Sequence, residues 1–272
     1  MYDTLIGTDA LAANIERPDW VIIDCRFSLS DTNAGRNAYN TEHITNAVYA
    51  HLDEDLSGEI ITGKTGRHPL PNIGLFTKKL SDWGIDNNTQ VIAYDDKGGA
   101  IAARLWWLLK WLGHQRVAVL NGGWQTWRHQ QLPTDTRVPS PQPKKFTPHL
   151  QSKRTISKKE IAIQTGNTPL NLVDSRGKER YLGINEPIDP VAGHIPGAIN
   201  LPFSENLDEN GLFLPVEDLQ RRFKAIQKPN TPVFYCGSGV TACHNILAYE
   251  YCGYGQALLY PGSWSEWIVG FG

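Results

Sequence analysis

The chain has 272 residues, 40% apolar and 20% charged, with a formal net charge of −2 and a sequence pI near 6.4. That supplies apolar material for two cores, since domains usually run to ~100–200 residues, and too little basic charge to attract nucleic acid or an anionic membrane. With four cysteines, no basic leader ahead of an apolar block and no run of ~18 uncharged apolar residues, we expect a soluble, unexported protein with free thiols in the reducing cytoplasm.

In chain order, WVIIDCR (Trp20 to Arg26) reads as a buried strand that ends in an acid and an arginine, and EHITNAVYAHL, from Glu42, as a histidine-led turn into a second strand. VIAYDDKGGAIAARLWWLLKWLG, from Val91, couples a buried strand to a small-residue loop and an apolar helix over 100–113. The strand and tryptophan pair of VLNGGWQTW close this half at Trp127. Trp106, Trp107 and Trp111 fit packing against the sheet and the other half better than cofactor binding. TRVPSPQPKKFTPHLQSKR, Thr136 to Arg154, carries four prolines and no helical periodicity, and reads as a linker.

The same signals then return in the same order: NLVDSR (Asn171 to Arg176), GHIPGAINLPF from Gly193, VFYCGSGVTACHNILAYEYCGYG from Val233, and LYPGSWSEW ending at Trp267. Duplication is the economical explanation. Apolar runs alternating with helical stretches are the mark of βα units, so each half is expected to be an α/β layer structure, a parallel sheet with helices on both faces. The expected boundaries are 1–135 and 155–272 for the two domains and 136–154 for the linker.

The most informative stretch is CGSGVTAC, Cys236 to Cys243. A cysteine at a strand end, followed by small residues and a helix N-terminus, has backbone N–H groups aimed at its sulfur, and these donors with the helix dipole favour thiolate. The competing reading is a core cysteine before an ordinary strand-to-helix turn. In the first half the matching position is Asp95, a carboxylate with no thiol to offer, so that half is expected to be catalytically silent.

These features resemble the rhodanese-like sulfurtransferases, in particular the tandem enzymes that use thiosulfate or 3-mercaptopyruvate. The resemblance rests on His43-Ile44, His194-Ile195 with the PGA that follows, the GGW and GSW closures, Asp174 to Arg176 and the loop CGSGVT. It implies two rhodanese-like domains, a catalytic cysteine in the second, and an active site near their interface. Cys236 would attack the outer sulfur of a small-molecule donor, hold it as a persulfide and pass it to a thiol or to cyanide, with thioredoxin among the acceptors and no metal or organic cofactor. The backbone of Gly237, Ser238, Gly239, Val240 and Thr241 would cradle the anion, with the hydroxyls of Ser238 and Thr241 adding hydrogen bonds.

Thiosulfate-preferring members resemble CRKGVT, whereas mercaptopyruvate-preferring members resemble the CGSGVT found here. Without the two loop cations, 3-mercaptopyruvate is the expected donor and a main thiosulfate:cyanide activity the alternative. ERYLG, Glu179 to Gly183, resembles the family's substrate-arginine segment and nominates Arg180. A second arginine usual after the EP pair is replaced by Ile188, and Arg67 or His68, in a stretch TGRHPLP that resembles a loop reaching the cleft from the silent half, is the candidate substitute. Arg176, His43 and His194 read as scaffold, and Cys243 and Cys252 as buried and inert.

Two other classes compete, a phosphatase and a non-enzymatic role as either a metal site or a relay or interaction module. A phosphatase of this fold requires an arginine six residues after the cysteine, where this chain has Ala242. A zinc site from Cys236, Cys243, His244 and Cys252 lacks paired spacing. A non-enzymatic sulfur-relay or interaction module would share the same cradle.

Overall fold

The computed structural model describes residues 1–164, 170–226 and 231–269. The chain forms two compact units, one of Met1–Gly58, Pro71–Gln151 and Glu209–Leu212, the other of Glu59–Leu70, Ser152–Asp208 and Phe213–Gly272.

In the first unit the strands are β1 (Leu5–Ile6), β2 (Trp20–Asp24), β3 (His43–Ile44), β4 (Val48–Tyr49), β5 (Gln90–Tyr94), β6 (Val117–Leu120) and β7 (Thr134–Asp135). Among the described residues they make a parallel sheet in the order β1-β6-β5-β2-β4 and an antiparallel β3-β7 pair. Every residue of β5 is buried, because a central parallel strand is covered on both faces, and VIAY after Gln90 is therefore continuously apolar rather than alternating. The helix Ala102–Trp111 is buried along its whole length, with Trp107 stacked on Trp111 and the Trp106 indole donating to the Asp3 carbonyl at 2.8 Å.

The second unit repeats the plan with β8 (Leu172–Asp174), β9 (Ile199–Asn200), β10 (Val233–Tyr235) and β11 (Leu258–Leu259), parallel in the order β11-β10-β8-β9. The buried helix Ala242–Tyr251 follows β10. Parallel strands end on one edge, so the loops after β8, β9 and β10 converge there.

The duplication extends to individual hydrogen bonds. Asp24 and Asp174, both fully buried, accept the amide of the arginine two residues on at 2.9 Å and grip its guanidinium at 2.6 and 2.7 Å. Arg26 then donates to the Glu42 carbonyl and stacks on Trp124, and Arg176 to the Gly193 carbonyl and Trp264. His43 and His194 each bond a tyrosine carbonyl at 2.8 Å and stack on that tyrosine, so both are occupied as scaffold.

Two segments depart from the domain boundaries that sequence order suggested. Residues 136–151 pack as an irregular strap on the first unit, with Phe146 buried and amides of His149 and Gln151 bonded to the carbonyls of Leu112 and Trp111 at 2.8 Å. Prolines block regular hydrogen bonding there but not docking. The stretch 59–70 belongs to the second unit, for reasons of local contact described below.

Asp95 sits where β5 ends and fills its own loop. Its carboxylate accepts the amides of Lys97 and Gly99 at 2.8 and 2.9 Å and of Ile101 and Ala102 at 2.7 and 2.8 Å. Four donors lose their acceptor in Asp95→Ala, and at ~1–3 kcal/mol for each unsatisfied buried group the variant should lose at least about 3 kcal/mol of stability, read from urea unfolding.

Candidate active site

Cys236 leaves the end of β10 and is 2% exposed. The loop after it is held from below by the turn that opens the last helix: the Cys236 amide donates to Ser263 Oγ at 3.1 Å, and the amides of Trp264 and Ser265 donate to the carbonyls of Cys236 and Gly237 at 3.0 and 2.9 Å. Gly239 has φ +79°, and a Cβ there would stand 2.3 Å from the Pro261 carbonyl oxygen, so only glycine fits. Its N–H donates to the Cys236 sulfur at 3.2 Å. Thr241 occupies the N-cap position of the helix Ala242–Tyr251 without a side-chain cap bond, and among the described residues no acceptor takes the amides of Val240, Thr241 or Ala242. The Gly239 N–H is thus directed at the sulfur, and the helix Ala242–Tyr251 begins within the same loop.

The matching loop of the first unit indicates what such a cradle holds. A carboxylate oxygen of Asp95 lies two bonds beyond Cβ, the same reach as the outer sulfur of a cysteine persulfide. Gly99 and Ile101, which donate to that carboxylate, match Val240 and Ala242.

Two guanidiniums lie over the loop. A Cβ on Gly237 would be 2.9 Å from Arg67 Nη2 and 3.3 and 3.5 Å from Arg180 Nη2 and Nη1. The cations that CGSGVT lacks therefore stand in the space a side chain at 237 would need. Arg180 comes from the short helix Lys178–Tyr181 and is held by Glu186, which also takes Arg176 at 3.1 Å. Arg67 comes from the 59–70 stretch, which seats itself on the same turn as the cysteine loop: a Cβ on Gly66 would be 2.5 Å from the Gly262 carbonyl oxygen, and the Arg67 amide donates to Ser265 Oγ at 3.1 Å. Asp189 joins the two cations, taking Arg67 on Oδ1 and Arg180 on Oδ2, the latter at 3.0 Å. The Asp189 side chain is 1% exposed, whereas those of Arg67 and Arg180 remain 29% and 21% exposed and so reachable by a solute.

Burial pushes the Asp189 carboxyl above the ordinary range, against the pull of Arg67 and Arg180. For Glu186 burial also pushes upward, but bonds from Arg180 and from the Asp189 and Ile188 amides outweigh it and hold the carboxyl low. His68 is buried and its Nδ1 lies 2.7 Å from Ser238 Oγ, which couples the loop hydroxyl to an imidazole.

All the nominated residues, Cys236, the 237–241 loop, Arg180, Arg67 and His68, thus fall in one unit and around one loop. Sequence reasoning missed Asp189, although it stands one residue beyond the Ile188 that was inspected, and Ser263, visible only as part of the GSW closure. The other cysteines are engaged separately: Cys243 Sγ donates to the Gly239 carbonyl and Cys252 Sγ to that of Tyr249, both at 3.4 Å, while His244 stacks on Phe213. Among the described residues no group of three or more His, Cys, Asp or Glu side chains is arranged to hold a metal, and no helix is long and apolar enough to cross a membrane. Burial raises the Cys25 thiol well above its ordinary value and the Cys252 thiol to about 11. Limiting iodoacetamide at pH 8 should therefore modify Cys236 ahead of Cys25 and Cys252, which peptide mass mapping would reveal.

The model of the rhodanese-like domain matches residues 8–130 and 157–269. A probable 3-mercaptopyruvate sulfurtransferase of Pseudomonas aeruginosa is 44% identical over 97% of this chain and 95% of its own length. The thiosulfate sulfurtransferase of Rattus norvegicus is 32% identical over 98% of this chain and 93% of its own. Among solved structures, 3-mercaptopyruvate sulfurtransferase from Leishmania major superposes with a TM-score of 0.85 at 30% identity, covering 98% of this chain and 74% of that one.

Proposed function

Because the chain belongs to the rhodanese-like family and is a sulfurtransferase, we propose that Cys236 is its sulfur carrier and that Arg67 and Arg180 hold the donor anion. Sulfur transfer requires a donor and an acceptor; the donor proposed is 3-mercaptopyruvate, with thiosulfate second, and the acceptor a small thiol, cyanide or a thioredoxin-like protein. The observation that carries this reading is the pair of guanidiniums over Gly237, beside a sulfur that already accepts the Gly239 amide.

With the donor anion on Arg67 and Arg180, the Cys236 thiolate attacks the donor sulfur in line with the bond to be broken. With 3-mercaptopyruvate the S–S bond forms as the C–S bond breaks. The bonding pair passes to carbon as the pyruvate enolate, which takes up a proton. Ser238, two residues from the thiol and backed by His68, is the hydroxyl proposed to supply it. With thiosulfate the pair leaves on sulfite and no proton is needed. The outer sulfur then lies where the carboxylate oxygens of Asp95 lie in the sister loop, within reach of the Val240 and Ala242 amides. Attack by the acceptor thiolate on that sulfur returns Cys236.

The first unit is proposed to be silent, its cradle filled by Asp95. Asp95→Ala should accordingly leave turnover per folded molecule intact despite its lower stability; loss of kcat in the folded variant would count against silence. Four buried free cysteines fit a reducing compartment, and the cytoplasm is the proposed location. The direct test of the donor is steady-state sulfur transfer to cyanide from 3-mercaptopyruvate and thiosulfate, compared as kcat/KM.

A further inference from the structure

Asp189 is the residue whose role the family reading leaves open, and its position is specific. Its carboxylate bridges two guanidiniums, one of them from Arg67, 122 residues earlier in the chain, and both guanidiniums touch the space over Gly237. The amide of Asp189 donates to Glu186 Oε1 at 3.1 Å, as does that of Ile188, so the 186–189 turn is tied to the carboxylate that holds Arg180 and Arg176. The carboxylate is almost fully buried and faces the cations rather than solvent.

Two consequences follow from this arrangement. First, like-charged guanidiniums repel, and a shared carboxylate between them sets their spacing; without it Arg67 and Arg180 would separate. Second, the charges around the site cancel: the guanidiniums of Arg67, Arg176 and Arg180 are matched by the carboxylates of Asp174, Glu186 and Asp189. A donor therefore meets directed N–H groups without a net positive field. A monocarboxylate satisfies those donors and adds one charge to a site that already holds a thiolate. A dianion adds two, and its second charge has no uncompensated cation to meet.

We propose that Asp189 is a positioning and specificity-determining residue that sets the donor charge class: it holds Arg67 and Arg180 as one fork and, by neutralising one of their charges, biases the site toward monocarboxylate thiol donors over doubly charged thiosulfonates. This rests on the reading that Arg67 and Arg180 hold the donor and Cys236 takes the sulfur.

The experiment is kcat/KM for 3-mercaptopyruvate and for thiosulfate, with cyanide as acceptor, in wild type, Asp189→Asn and Asp189→Glu, alongside competitive inhibition by sulfate and by acetate. Loss of the fork geometry alone lowers both donors together. Removal of the charge acts on the dianion selectively. In Asp189→Asn the thiosulfate-to-mercaptopyruvate ratio should rise by about tenfold, the effect of removing one like charge several ångströms from a second donor charge at an effective dielectric near ~20. Sulfate inhibition should strengthen relative to acetate by a similar factor, and Asp189→Glu should restore the wild-type ratio. An unchanged ratio in Asp189→Asn, with both donors reduced equally, would overturn the proposal and leave Asp189 a purely structural clasp. If the amide variant does not fold, Asp189→Ser carries the same comparison. Wild-type protein that turns over neither donor would instead sink the underlying functional reading, an outcome distinct from an unchanged ratio.

Discussion

Replacing Cys236 with serine is expected to abolish sulfur transfer from either donor, with kcat/KM falling by roughly 10³-fold or more, as removal of a covalent nucleophile does elsewhere. The hydroxyl keeps the size of the side chain and its place under the Gly239 amide, so the variant should fold with wild-type Tm. What it loses is the ability to leave as a stable anion and to hold sulfane sulfur. Intact-mass measurement separates the alternatives: wild-type protein incubated with donor and no acceptor should gain one sulfur atom, and Cys236→Ser none. Transfer retained in the variant would remove Cys236 from the chemistry. A non-enzymatic relay would load sulfur yet fail to turn over with cyanide.

The second large effect is expected at the guanidinium pair. Charge-assisted hydrogen bonds contribute ~1.5–3 kcal/mol, so Arg67→Ala and Arg180→Ala should each lower kcat/KM by about 10- to 150-fold, mostly through KM. The two losses should not add, because Asp189 couples the side chains: removing either one leaves that buried carboxylate with a single cationic partner and displaces the other guanidinium. Lysine in place of either arginine keeps the charge but not the fork, and recovers only part of the loss. Unaltered donor saturation in Arg67→Ala would mean that Arg180 alone carries the anion.

Much of this molecule was legible because its information is local and written twice. The continuous apolar runs VII (21–23) and VFY (233–235) could be placed as buried parallel strands without a structure, and the cysteine loop could be recognised since its donors, its glycine and its helix start all lie within eight residues of Cys236. The acid-arginine pairs were visible too, and reading Arg176 as a tie rather than a ligand matches its bonds to Asp174, Glu186 and the Gly193 carbonyl. The domain edges were harder. Proline content suggests an independent linker over 136–154, yet one buried phenylalanine and a few backbone bonds dock most of it on the first unit.

The amino-acid order alone was enough for the duplication and the α/β class, and it nominated Cys236 as the reactive thiol and Asp95 as the mark of a silent loop, since each depends on residues close together along the chain. Only the tertiary structure could decide which cations stand over the cysteine loop. CGSGVT is locally neutral and Ile188 stands where a second arginine was sought, so by local reading the site is short of a cation. Folding carries the 59–70 stretch onto the Pro261–Ser265 turn, because Gly66 and Ser265 permit a backbone approach that no periodicity announces, and Arg67 stands over Gly237 paired with Asp189. Long-range charge pairing of this kind depends on backbone proximity created by packing, which is why composition and spacing left it open.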